Sequence, residues 1–140
     1  GSIGGSVGLP YQAAYSASKF ALAGLTEARS GGLADTDIRV VLVEPGNVRT
    51  AIGERRRVAQ AATADSPYAA RFERALAIIE RDEAQGWPAT AMAAVILRAA
   101  TARSVPLTIR AGPWMERLAP LAKALLPSRL FEKLLIASYR

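Results

Sequence analysis

Tyr15 and Lys19 are the residues on which a reaction can be built. Four positions apart, they share one face of a helix and reach a common point. A phenol alone holds its proton too firmly for exchange at neutral pH, its ordinary pKa being near 10. An ammonium about 4 Å away, at an effective dielectric near 20, favours the phenolate by about 4 kcal/mol. That preference moves proton exchange towards neutral pH, where general acid/base catalysis works best. The spacing alone proves little. Four tyrosines and three lysines in 140 residues give such a pair by chance in about one chain of eleven. In such cases a packed tyrosine beside a solvated lysine is the plainer account.

The chain contains no histidine and no cysteine. Their absence removes Ser-His-Asp triads, cysteine nucleophiles and the usual zinc sites, so no metal site is expected. Proton chemistry is left to Tyr, Lys, Asp and Glu. Without cysteine no disulfide ties the protein to an oxidising compartment, and a cytoplasmic setting is expected. The net charge is +6, yet the arginines are scattered among acidic residues rather than gathered with aromatics into a strip, so nucleic acid is not expected as a partner.

The elements that must position this pair are legible. Residues 1–10, GSIGGSVGLP, have the composition of a turned loop. Residues 12–28 carry Ala14, Ala17, Phe20, Ala21, Leu22, Leu25 and Ala28 at near-helical spacing. Ser30, Gly31 and Gly32 predict an early end to that helix, since each internal glycine costs about 1 kcal/mol. IRVVLV, residues 38–43, reads as a parallel strand buried on both faces, stopped by Glu44-Pro45-Gly46. Residues 51–66, with the triplet Arg55-Arg56-Arg57, read as a mobile segment. Helices are expected over residues 67–85 and 88–102, the latter apolar nearly all round and so lying over a sheet. A brief strand over residues 107–109 follows. Residues 113–140 form a helical extension broken by Pro120 and Pro127, with an apolar stripe of Leu130, Phe131, Leu134 and Leu135 beside Arg129, Lys133 and Arg140.

Ser2 stands thirteen residues before Tyr15, and Pro45-Gly46-Asn47-Val48-Arg49-Thr50 follows the strand. With Tyr15-Ser16-Ala17-Ser18-Lys19, these stretches resemble the serine loop, Y-x-x-S-K helix and P-G-x-V-x-T segment of the short-chain dehydrogenase/reductase family. The resemblance is specific over residues 1–50 and general beyond. It implies an α/β fold: the C-terminal part of a doubly wound, parallel, Rossmann-type sheet, in residues 1–112, with the helical extension in residues 113–140. It implies an NAD(P)-dependent oxidoreductase interconverting a carbonyl and an alcohol. Tyr15 would exchange a proton with the substrate oxygen. Lys19 would assist Tyr15 and hold the nicotinamide ribose, and Ser2 would steady the substrate oxygen. Pro45, Gly46, Val48 and Thr50 would line NAD or NADP, a choice the sequence leaves open.

The family's glycine-rich dinucleotide motif, its N-N-A-G segment and its helical asparagine have no counterpart here. Together with Gly1 in place of an initiator methionine, this predicts that sequence precedes the chain. Two parallel strands fall short of the three or more needed for independent stability, so the chain alone is expected to fold poorly or bind cofactor weakly. Gly31 and Gly32 depart from the continuous helix the family uses for subunit pairing, which bears on a homo-oligomer.

Several features keep two readings. Arg55-Arg56-Arg57 fits either a phosphate contact or a solvated loop, and Tyr68 and Phe72 fit either a substrate pocket or core packing. The C-terminal helices suit closure over an apolar substrate (steroid, retinoid or lipid-like), a partner subunit, a membrane surface, or ordinary packing. A catalytically idle member that binds and regulates an intact subunit is the alternative to an enzyme.

Overall fold

The computed structural model describes residues 1–59 and 65–139. Residues 60–64 of the segment expected to be mobile, and Arg140 of the C-terminal stripe, lie outside the described residues. The order is a 3-10 turn (Ile3–Gly5), α1 (Ala13–Gly32), β1 (Leu42–Pro45), β2 (Val48–Arg49), a second 3-10 turn (Gly53–Arg55), α2 (Ala69–Ala84), β3 (Trp87–Pro88), α3 (Ala89–Thr101), β4 (Thr108–Ala111), α4 (Trp114–Leu125) and α5 (Ser128–Ala137). The fold is α/β with parallel strands and a helical C-terminus.

β1 pairs with β4 in parallel, Leu42 opposite Thr108 and Pro45 opposite Ala111. A shorter parallel pair joins Val48 to Trp87 and Arg49 to Pro88, and the composition of these residues did not announce it. α3 covers the first pair, as its apolar pattern predicts: Met92 and Val95 bury against Ala111, with Val43, Val48, Trp87 and Ile109 around them.

Three boundaries, and the character of one strand, differ from expectation. The run at residues 38–43 pairs only from Leu42 onward, because β4 begins at Thr108 and offers nothing to the earlier residues; Ile38 is 62% exposed. Arg39 instead donates to the carbonyls of Ala102 and Arg103, at 2.8 and 2.7 Å, satisfying free acceptors after α3. β1 is also not apolar on both faces, since Glu44 is among its two buried residues. α1 does not stop before the glycines. Gly31 and Gly32 form its last turn, where the backbone cost of glycine is small and helices commonly end. α4 runs through Pro120, giving up one rung, and the chain breaks only at Pro127.

The chain exposes 9885 Å², whereas a compact monomer of 14.8 kDa exposes roughly 7000 Å². It buries less of itself than a self-sufficient domain does.

Candidate active site

The serine loop is pinned at four points. Ser2 is extended (φ −166°, ψ 155°), and its Oγ accepts from the Gly4 N–H at 3.1 Å, capping the first 3-10 turn. Ile3 and Val7 bury their side chains. The Leu9 N–H donates to the buried Ser16 Oγ at 3.1 Å, tying the loop's end to α1. Gly5 lies directly on the α1 backbone, where a Cβ would stand 2.7 Å from the Lys19 carbonyl oxygen. Only glycine allows the loop to lie this close to the helix that carries Tyr15 and Lys19.

That closeness brings the chemistry together. A Cβ placed on Gly4 would stand 3.0 Å from the Tyr15 ring and 3.5 Å from the Ser2 hydroxyl, so both groups flank one point. The Lys19 ammonium lies 5.3 Å from the Tyr15 ring centroid, on the same face of α1. Among the described residues Lys19 forms no ion pair.

The segment after β1 forms the facing wall. The Gly46 N–H donates to the Ala111 carbonyl at 2.7 Å. Asn47 is held by Glu116 from the first turn of α4: its backbone N–H donates to one carboxylate oxygen at 2.6 Å and its side-chain amide to the other at 2.9 Å. A Cβ at Gly46 would collide with that carboxylate.

Ser2, Tyr15, Lys19, Pro45, Gly46, Val48 and Thr50 all line one cleft of about 1200 Å³. Leu9, Phe72, Leu76, Ile79, Met92 and Ile96 supply apolar wall, and the size suits a cofactor fragment together with an apolar substrate. The donor set fits a nicotinamide ribose: an ammonium that forms no ion pair among the described residues, with a phenol beside it.

The two aromatic candidates part company. Phe72 lines the cleft and meets Tyr11 edge to face at 6.1 Å, while Tyr68 is largely exposed and lies outside it. The arginine triplet also borders the cleft: Arg56 pairs with Glu83 at 2.6 Å and Glu80 at 3.6 Å, while Arg55 and Arg57 are exposed.

Three features escaped sequence reasoning. Glu44 is 1% exposed; it accepts from the Ser6 hydroxyl at 3.0 and 3.1 Å and from Arg110 Nε at 3.0 Å. Its visible sign was an acidic residue inside an apolar strand. Glu116 and Lys123 carried no sign at all, because their partners lie 69 and 117 positions away. Tyr139 reaches the cleft from beyond α5; burial first, and then the negative charges of Asp82 and Glu116, push its phenol above the usual range.

The family model described as short chain dehydrogenase matches residues 1–61. The chain is 34% identical over 131 residues to a 3-ketodihydrosphingosine reductase of Bacteroides thetaiotaomicron, an alignment covering 94% of this chain and 49% of that protein. It is 46% identical over 55 residues to the human 17-beta-hydroxysteroid dehydrogenase type 1, covering 39% of this chain and 17% of the relative. The chain thus spans about half the length of the first of these relatives and less of the second. With the serine loop, the Tyr15-Lys19 face and the Pro45 to Thr50 wall in one cleft, the chain belongs to the short-chain dehydrogenase/reductase family.

Proposed function

We propose that this chain carries the catalytic half of an NAD(P)-dependent oxidoreductase acting on an apolar ketone or secondary alcohol. The observation that carries the reading is the convergence of Ser2, Tyr15 and Lys19 on one apolar-walled cleft. When bound, the nicotinamide supplies or accepts the hydride. The Ser2 hydroxyl already accepts from the Gly4 N–H, which leaves its own hydrogen to donate to the substrate oxygen. In reduction, the Tyr15 hydroxyl gives its proton to that oxygen as the carbonyl carbon gains a hydride, yielding the alcohol; oxidation reverses both transfers. Lys19 stabilises the phenolate that remains and offers its other hydrogens to the ribose hydroxyls. Pro45, Gly46, Val48 and Thr50 line the cleft and would hold the nicotinamide.

Relatives named for 3-ketodihydrosphingosine and 17-beta-hydroxysteroid chemistry and the apolar wall of Leu76, Ile79 and Met92 favour a lipid-like substrate. The same reading makes residues 1–112 the catalytic half and residues 113–140 a helical extension, in a cytoplasmic protein. The test is NAD(P)H oxidation with a long-chain 3-ketone, in the protein as its gene encodes it. Turnover lost in Tyr15→Phe supports the proposal, and turnover indifferent to that change sinks it.

A second reading, a catalytically idle member that docks on an intact subunit, accommodates the same exposed surface. That reading expects no turnover in any protein carrying this chain.

A further inference from the structure

α4 is turned inside out. Two of its three charged residues reach the body: Glu116 holds Asn47, and Lys123 donates to the Ser6 carbonyl at 2.8 Å and sits 4.9 Å over the Phe20 ring. Its apolar positions face outward. Trp114, Leu118, Leu121 and Leu125 recur at i, i+4, i+7 and i+11, a single stripe, and are 46 to 73% exposed. Leu130, Leu134 and Ile136 of α5 are also exposed. A surface helix ordinarily shows the opposite arrangement, and a contiguous outward apolar patch of this kind marks an interaction surface.

The charges around the stripe say what covers it. Arg117, Arg129 and Lys133 are exposed and form no ion pair among the described residues. Of the two acidic residues on these helices, Glu116 is committed to Asn47 and only Glu132 remains. A second copy packed symmetrically on this face would set the same cations against themselves. An anionic lipid surface instead takes the leucines into its acyl boundary, the tryptophan at headgroup level and the cations among phosphates. Each basic residue near such a surface strengthens partitioning roughly five-fold.

We propose that α4 and α5 form an interfacial docking surface for an anionic phospholipid membrane, lying in the headgroup plane. Among the described residues no helix is long and apolar enough to cross a membrane, so the contact is one-sided. The other side of the same helices, through Ala119 and Leu135, lines the cleft with Tyr139 just beyond α5. Docking therefore places one helical layer between lipid and cleft, a short path for an apolar substrate. Only this delivery role rests on the function proposed above; docking does not.

The test is sedimentation of the protein as its gene encodes it with vesicles of phosphatidylcholine alone or mixed with phosphatidylglycerol, read together with the part of the tryptophan emission that Trp114→Phe removes. The mixed vesicles are expected to bind it, with a blue shift and with binding that weakens as salt rises. Leu121→Glu with Leu125→Glu should lower the bound fraction at least ten-fold at unchanged helicity by circular dichroism. Arg129→Glu with Lys133→Glu should remove the preference for phosphatidylglycerol. Equal binding by the leucine variant overturns the proposal. So does failure of the parent protein to bind the mixed vesicles; a dimer by light scattering that the leucine variant dissolves would then show that a second copy covers the stripe.

Discussion

Replacing Glu44 with alanine tests how the serine loop is held. The carboxylate is almost wholly buried and joins Ser6, next to that loop's turn, to Arg110 on the neighbouring strand. A hydrogen bond from a hydroxyl to a buried charge contributes about 1.5 to 3 kcal/mol. The Arg110 contact is worth less, about 1 kcal/mol or below, because that side chain is 41% exposed and solvent screens the pair. Full loss of a buried pair would cost about 3 to 5 kcal/mol. Here a cavity of about 120 Å³ borders Ser6, Glu44 and Arg110, so water can reach the orphaned groups. The expected cost is therefore about 2 to 3 kcal/mol, a fall in Tm of roughly 6 to 12 °C for a chain of this size. Glu44→Gln keeps the shape and one acceptor and should lose about half as much. Thermal unfolding followed by circular dichroism measures both. A Tm within about 2 °C of the parent for the alanine variant would refute the reasoning.

Gly5→Ala should destabilise the chain by about 1 to 3 kcal/mol, because the new methyl meets the immobile Lys19 carbonyl rather than a movable side chain; a urea midpoint unchanged from the parent would show that the loop moves away freely. Tyr139 keeps its proton in the fold beyond its ordinary value of 10.0. Its stabilising contribution is present below that value and is lost as pH rises through it towards the folded value, since the unfolded chain then releases the proton first. Phenolate absorbance should show one tyrosine titrating late, and Tyr139→Phe should flatten the alkaline decline in stability. The docking surface adds the vesicle experiment described above, in which Leu121→Glu with Leu125→Glu lowers the bound fraction at least ten-fold.

What could be read from residue order was local. α1 follows from its alanine and leucine spacing, and the lid-like placement of α3 over β1 and β4 follows from Met92 and Val95 within an apolar helix. The convergence of Ser2, Tyr15 and Lys19 was legible because loop and helix are adjacent in sequence. Errors came where a distant partner decides. The start of β1 is set by where β4 begins, not by the apolar run at residues 38–43. Glu44 and Glu116 are site-building residues only because Ser6, Arg110 and Asn47 fold onto them. Tyr68 and Phe72 were indistinguishable by type, and the packing of α2 decides that Phe72 alone faces the cleft. Pro120 sits inside α4 between Glu116 and Lys123, which tie the helix to distant parts of the chain.

The most direct test of the account is the Tyr15→Phe substitution in the protein as its gene encodes it, with NAD(P)H absorbance followed in the presence of a long-chain 3-ketone. Removing one hydroxyl from a ring that stays on α1 leaves the cleft walls in place, so cofactor binding should persist while turnover falls by about 10² to 10⁴-fold, the share general acid catalysis supplies. Turnover of the phenylalanine variant at the parent rate would contradict the assignment of Tyr15 as the proton carrier, and with it the reading of this cleft.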